Sequence, residues 1–600
     1  MKRFYVTILF LFVSFSIPQS GMEFSISMAQ PKKEVRAVWL TTVLGLDWPK
    51  TIGANAQKAS LINILQTLKN ANMNTVLFQV RARGDLMYPS QYEPWAASLS
   101  GGNLGINPGY DPLQFIIQEA HQRGMELHAW WNVFIVASSS SPPYSYGLPH
   151  VAAVHPEWVR VYKYSNGSKE LWLDPGIPEV RNYLVTLAME MIRKYDIDGI
   201  HFDHIRYPNP DYSDDSTYAL YGGGMNKADW RRENINKFVQ ALYDSAMRVN
   251  PMLKVGTAAI GIYKSIPGAS GWEAYNDVFQ DSRRWLQEGK HDYVAPMIYW
   301  NIGNQPGDPD FAALVRDWQQ NSYGRHIYAG VGAYKDNVRL ELPREIDTTR
   351  SLGALGNVYF RYDHISNTSV FGDKYRYLAN IPHMWWKDNV PPNAPSNLTI
   401  TKLDDTHYRL DWMKPTPASD SDTAKYYDIY RSTISPVDVS NPANLLCITT
   451  NSQTTFTDVF SSPPTQNYYY AVSAFDKGNV ESQPSNQVGL IITSVAENRN
   501  TPQGFRLQQN YPNPFNPSTV IEFMIQDAGY VSLKVFDVLG REVATLVEGY
   551  LSAGSYSVNF NGGSLSSGTY FYRLSYGPQM STQVRHTGQY VAIRKMILSR

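Results

Sequence analysis

Eight times between Val35 and about Trp386, a short β-type run is followed by an amphipathic helical stretch. The runs are residues 35–40, 75–81, 126–134, 199–205, 254–262, 293–300, 327–334 and 356–362. Leu61, Ile64, Leu65 and Leu68 share one helical face just before the second run, and residues 180–193 give another helix before the fourth. Strand, helix, strand, repeated in this way, demands a parallel sheet, and eight units at this length close it into a (β/α)8 TIM barrel. A doubly wound open sheet is the alternative, and no G-x-G-x-x-G or P-loop pattern supports a nucleotide site.

The flanks divide the rest. Lys2 and Arg3 precede an apolar run from Phe4 to Ile17, and Ser27-Met28-Ala29 is a small-residue cleavage site before Gln30. Residues 1–29 therefore read as a signal peptide, too short for a comfortable membrane span, and no other run is long and apolar enough for one. The barrel is expected over 30–388. A stiff linker follows at Asp388-Asn389-Val390-Pro391-Pro392-Asn393-Ala394-Pro395. Residues 391–494 alternate as short strands, with Tyr408, Leu410 and Trp412 on one face. With Tyr427–Arg431 and Tyr468–Val472 this stretch resembles a fibronectin type III module, an immunoglobulin-like sandwich read here as a spacer. Residues 503–600 carry Leu507-x-Gln509-Asn510-Tyr511-Pro512-Asn513-Pro514-Phe515-Asn516-Pro517 and Gly568-Thr569-Tyr570-Phe571-Tyr572-Arg573-Leu574. They resemble the C-terminal sorting domain of the type IX secretion system, a second small all-β sandwich. That resemblance implies passage through the periplasm to the outside or the cell surface, with the secretion machinery as partner.

Composition narrows the chemistry. Lys plus Arg and Asp plus Glu number 53 each, so nothing favours nucleic acid as a partner. Cys447 is the only cysteine, which excludes an intrachain disulfide and a cysteine-based zinc site. Aromatic residues reach 13%, a weak hint of stacking on sugar rings.

In a barrel the chemistry sits at the C-terminal ends of the strands. Asp203 falls near the top of the fourth strand, and His201 shares its face. A carboxylate there suits glycosidic cleavage as nucleophile or general acid/base, or it is a buried partner of Arg206 or Arg81. Asp196 and Asp198 fall at the opposite end, as cap or turn residues. Gln79 and Arg81 face inward on the second strand, with Asp85 in the loop beyond. His128, Trp130 and Asn132 share a face of the third. Tyr299 and Trp300 close the sixth, and His204, Arg206 and Tyr207 follow the fourth. All of these are candidates for contacting a polysaccharide or oligosaccharide.

Several motifs carry a resemblance to the glycosyl-hydrolase-like 10 family. They are Glu34-Val35-Arg36-Ala37-Val38-Trp39-Leu40, Gln79-x-Arg81-x-x-Gly84-Asp85-x-x-Tyr88-Pro89-Ser90, Glu93-Pro94-Trp95, Leu173-Asp174-Pro175-Gly176, Asp198-Gly199-Ile200-His201-Phe202-Asp203 and Asp292-Tyr293-Val294-Ala295-Pro296. The resemblance implies a hydrolase of a bacterial glycan, peptide-free peptidoglycan strands being one substrate class. The family's fourth-strand motif usually has two consecutive acids, and His204 stands in the second place here. The second carboxylate is therefore open among Asp85, Asp47, Asp174 and Asp363, with Asp85 favoured by its motif, or the substrate's N-acetyl group takes its place. No organic cofactor or metal is called for. Two other classes stay in view: a metal-dependent polysaccharide deacetylase using His128, His201 and Asp203, and a non-catalytic glycan-binding surface protein.

Overall fold

The computed structural model describes residues 29–303, 308–492, 504–577 and 590–599. The expected signal peptide lies outside them apart from Ala29. The chain divides into two units between Asn389 and Val390, with Lys477–Val480 grouped with the first.

The first unit is built on β1 (Val35–Leu40), β2 (Thr75–Arg81), β3 (Glu126–Asn132), a small excursion of β4 (Ile135–Ala137), β5 (Val159–Lys163) and β6 (Lys169–Leu173), then β7 (Gly199–Asp203), β8 (Lys254–Thr257), β9 (Tyr293–Val294), β10 (Met297–Ile298), β11 (His326–Ile327), β12 (Ala329–Val331) and β13 (Gly356–Phe360). Parallel pairing runs from β1 to β2 to β3, on to β7, β8 and β9, and from β9 to β11. It continues from β10 to β12 to β13, and β13 returns to β1 with Gly356 opposite Val35. The sheet is closed. β9 and β10 are halves of one strand, broken at Ala295-Pro296, where proline has no N–H to give the ladder. β11 and β12 are halves of another, broken at Tyr328. The result is the expected eight-stranded barrel, with its third to eighth strands ending earlier than the sequence suggests, at Asn132, Asp203, Thr257, Ile298, Val331 and Phe360.

The lumen is solid. Trp39, Leu77, Trp130, Tyr293, Tyr328 and Val358 fill it. Glycines make room for the rings: a Cβ on Gly256 would lie 2.2 Å from the Tyr293 ring, and one on Gly199 would lie 2.7 Å from His128. Outside the strands, helices bury one stripe each. The helix Ala54–Asn70 buries Leu61, Ile64, Leu65 and Leu68. The helix Pro178–Lys194 opens on proline with Glu179 in its first turn and closes on Arg193 and Lys194, matching its dipole at both ends. The sequence reading missed the excursion after β3. Its antiparallel sheet, in the order β4-β6-β5, is tied to the barrel rim where the Leu173 N–H donates to the Phe134 carbonyl (2.8 Å).

The second unit holds two all-β sandwiches, each of one three-stranded and one four-stranded sheet. Tyr408, Leu410 and Trp412 are buried in the first, on the face their alternation predicts. The second has its own core around Ile521, Phe523, Leu533, Tyr572 and Leu574. Among the described residues no helix is long and apolar enough to cross a membrane.

Candidate active site

Asp203 ends β7 opposite Asn132 of β3, on the lumen-facing side and two residues above His201. His204, the next residue, adopts a left-handed φ of +48°. That turn brings its N–H onto the Asp203 carboxylate, 2.6 Å from Oδ1. Asp203 is 9% exposed. Burial pushes its carboxyl above the ordinary carboxylate range, against the opposing pull of Arg206, the His204 N–H and Arg83. The Trp130 indole N–H also favours the ionised form, although it meets no partner at ordinary hydrogen-bond geometry. Tyr299 lies close by: burial raises its hydroxyl pKa well above the usual value and the Asp203 charge adds to the shift. The Tyr299 ring stacks on Phe360 with centroids 5.8 Å apart, and Tyr334 and Trp130 meet the same Phe360 edge-on.

Arg83 connects Asp203 to the rest of the rim. Its half-buried guanidinium feels the negative charges of Glu170, Asp85 and Asp203, in that order. Its Nε donates to Ser138 (2.9 Å), while its backbone N–H donates to Asp85 (2.8 Å). Arg83 and Asp85 line a cleft of about 900 Å³ walled by loops after β1, β2 and β4, with Leu44, Lys50, Ile52, Ser138 and Tyr144 among its lining residues.

The structure gathers His204, Arg206, Tyr299, Trp130 and Asn132 around Asp203, and places other candidates elsewhere. Gln79 accepts from the Thr42 and Val43 N–H groups (3.0 and 2.8 Å) and so shapes the loop after β1. Arg81 is fully buried in a two-pronged pair with Glu93, at 2.7 and 2.6 Å. Tyr207 is fully buried among Tyr212 and Phe279. Trp300 is half-buried at the rim, with the Lys335 ammonium 5.7 Å over its ring. His128 sits low in the lumen, opposite Gly199, while His201 is two residues higher on its strand. The Tyr293 hydroxyl bridges their Nδ1 atoms at 2.7 and 3.1 Å, and their Nε2 atoms meet Glu126 and the Trp39 indole. Burial holds His201 well below its usual pKa, hence neutral. His128, His201 and Asp203 therefore stand at successive heights with both ring nitrogens of each histidine engaged, which does not gather them around one metal.

The other acids of the sequence reading are committed. Asp47 accepts from Thr41 (2.9 Å) and Arg361 (2.5 Å), Asp174 from Gly176 (2.9 Å) and Thr217 (2.5 Å), and Asp363 pairs with Lys50 (2.7 Å). Only the fold reveals Glu170. It stands on β6 of the excursion, held through Oε2 by the Tyr164 hydroxyl (2.7 Å) and the Trp172 indole (3.0 Å). Its charge is felt by both Arg83 and Arg206. Trp172 and the 45%-exposed Trp272 flank Arg206, with centroids 5.9 and 5.0 Å from its Cζ. No strand or helix period in the sequence points to Glu170, because a tertiary excursion carries it to the rim.

A closed (β/α)8 barrel that carries a buried carboxyl at the rim of its fourth strand, among aromatic and guanidinium side chains, has the architecture on which barrel glycosidases are built. The model of the family described as glycosyl hydrolase-like 10 matches residues 34–344, more than half of the chain. Glycosyl hydrolase YngK of Bacillus subtilis is 33% identical over 494 residues, covering 76% of this chain and 93% of that protein. Glycosyl hydrolase DigH of Escherichia coli K12 is 31% identical over 392 residues, covering 58% of this chain and 88% of that protein. The chain belongs to the glycosyl hydrolase-like 10 family. Residues 509–585 match the model described as a secretion system C-terminal sorting domain, so the protein is exported to the cell surface or secreted.

Proposed function

We propose that the barrel hydrolyses O-glycosidic bonds within a bacterial glycan, with peptide-free peptidoglycan strands as the first substrate to test. Asp203 carries the reading. A carboxyl pushed toward its protonated form at the rim of the fourth strand can donate its proton to the leaving glycosidic oxygen. Asp85, in the wall of the adjoining cleft, is the second carboxylate of the scheme, and Arg83 between the two holds both in one electrostatic field. As general base Asp85 activates a water; as nucleophile it forms a glycosyl ester. A carboxyl separation of ~5–5.5 Å goes with retention of anomeric configuration and ~6.5–9.5 Å with inversion. Tyr299 and Trp300 supply ring faces for sugars, His204 and Arg206 supply polar contacts, and the buried Trp130 and Asn132 form the floor beneath Asp203. The sorting domain hands the chain to type IX secretion machinery, which takes the barrel to the cell surface or outside the cell.

The test incubates the full chain with peptide-free glycan strands and a panel of neutral polysaccharides, and reads products by mass spectrometry. Cleavage that disappears in Asp203→Asn while binding persists is the expected result. Binding without product from any glycan replaces the hydrolase with a glycan-binding protein.

A further inference from the structure

We propose that Arg206 receives a carboxylate borne by the substrate, so that the glycan held beside Asp203 is an acidic one. This rests on the hydrolase reading above and narrows its substrate.

Buried guanidinium groups in this barrel otherwise come with an acid. Five arginines are buried in the first unit: Arg36, Arg81, Arg206, Arg231 and Arg232. Four have a carboxylate oxygen within 3 Å: Arg36 with Glu34 (2.9 Å), Arg81 with Glu93 (2.6 Å), Arg231 with Asp214 (2.6 Å) and Arg232 with Asp229 (2.6 Å). Arg206 has none among the described residues. Its Nε is buried without a hydrogen-bond partner, and its Nη2 reaches only the His204 Nδ1, at 3.5 Å. Asp203 and Glu170 act on it through their charge and not through contact.

The group is nevertheless held in place. Trp172 on one β6 face and Trp272 from the loop after β8 lie 5.9 and 5.0 Å from its Cζ, close enough for their ring faces to attract the cation. Trp172 is buried, whereas Trp272 is 45% exposed, so the approach to the guanidinium is from the Trp272 side, at the barrel mouth. A fork of N–H donors that is fixed, desolvated and unfilled matches the two oxygens of a carboxylate. The ligand's carboxylate would supply the counter-charge that the chain supplies to the other four arginines. Two sources share this chemistry: a uronic acid within a polysaccharide, and an acid ether-linked to an N-acetyl sugar, as in peptidoglycan strands freed of peptide.

The experiment measures calorimetric binding of the full chain, as wild type, Arg206→Gln and Arg206→Lys, to two acidic glycans: peptide-free peptidoglycan strands and polygalacturonate. Each is paired with a neutral form whose carboxylates have been converted to amides. The expected result is at least tenfold tighter binding of one acidic glycan than of its amide by the wild type. That ratio should fall to within twofold in Arg206→Gln and to an intermediate value in Arg206→Lys, which keeps the charge without the fork. The arm that shows the preference identifies the source. Equal binding of acid and amide by the wild type overturns the proposal, as does failure to bind either acid, or a tenfold ratio that survives in the glutamine variant. If Arg206→Gln does not fold, a wild-type ratio undiminished in Arg206→Lys overturns it. Cleavage of neutral glycans with no acid preference would sink this inference and leave the hydrolase standing.

Discussion

Replacing Arg81 by methionine should unfold the barrel more readily without stripping the site of a sugar contact. Both prongs of the guanidinium are spent on Glu93, and Nη1 donates to the Val133 carbonyl (2.9 Å) and to that of Asn132, where the chain leaves β3. Neither charged side chain of the pair has any exposure. Arg81→Met leaves the Glu93 carboxylate buried without its counter-charge, a loss of about 3–5 kcal/mol. At about 2.1 cal/mol/K of unfolding entropy per residue, a barrel of roughly 350 residues has about 0.7 kcal/mol/K, so the melting temperature should fall by about 4–7 °C. Adding Glu93→Leu removes the stranded charge and should recover much of that loss, because both partners of the pair are then gone. Thermal and urea unfolding of the full chain, with calorimetric glycan binding on the same samples, measures both sides. A variant that melts with the wild type while its glycan affinity collapses would show that the guanidinium serves the sugar and that this reasoning is wrong.

Asp203→Asn should lower kcat by about 10²–10⁴-fold. It should also stabilise the fold at neutral pH: with its folded pKa raised, Asp203 contributes full stability only below its unfolded pKa and loses it as pH rises through the folded one. A melting temperature at pH 8 lower than the wild type's would contradict this, and the wild-type rate should fall on the alkaline limb as the acid loses its proton. Glu345, fully buried with both carboxyl oxygens unpartnered, is likewise driven well above the usual range. Glu345→Gln should therefore gain stability that grows as pH rises above the ordinary glutamate range, by at most about 1.4 kcal/mol per pH unit, and a pH-independent difference in urea midpoints would refute it. Trp272→Ala should raise KM by about 3–10-fold through loss of an exposed ring face, and steady-state rates that leave KM unchanged would remove Trp272 from the site.

The barrel was legible because its signal repeats eight times, so that errors of two to five residues at strand ends leave the topology intact. Pro296 and Tyr328 break two strands without changing their places in the sheet. The excursion was not legible: Ile135–Ala137 has three residues, and Val159–Lys163 buries only Tyr162, so neither shows a clean alternation. Asp203 could be placed because position along a barrel strand is itself a functional coordinate. Glu170 could not, since nothing local distinguishes it from a surface glutamate. Arg81 and Tyr207 look alike in the sequence to residues that reach the mouth. What separates them is whether another part of the chain has already taken their polar atoms, and that is decided at long range.

The filled lumen has a consequence for how any polymer can be handled. With indole and phenol rings stacked down the axis over glycine, nothing can pass from one end to the other, so reactant and product share a single doorway. Any chain of sugars that reaches Asp203 must come to it across that mouth and leave by the same way, never along the axis of the barrel.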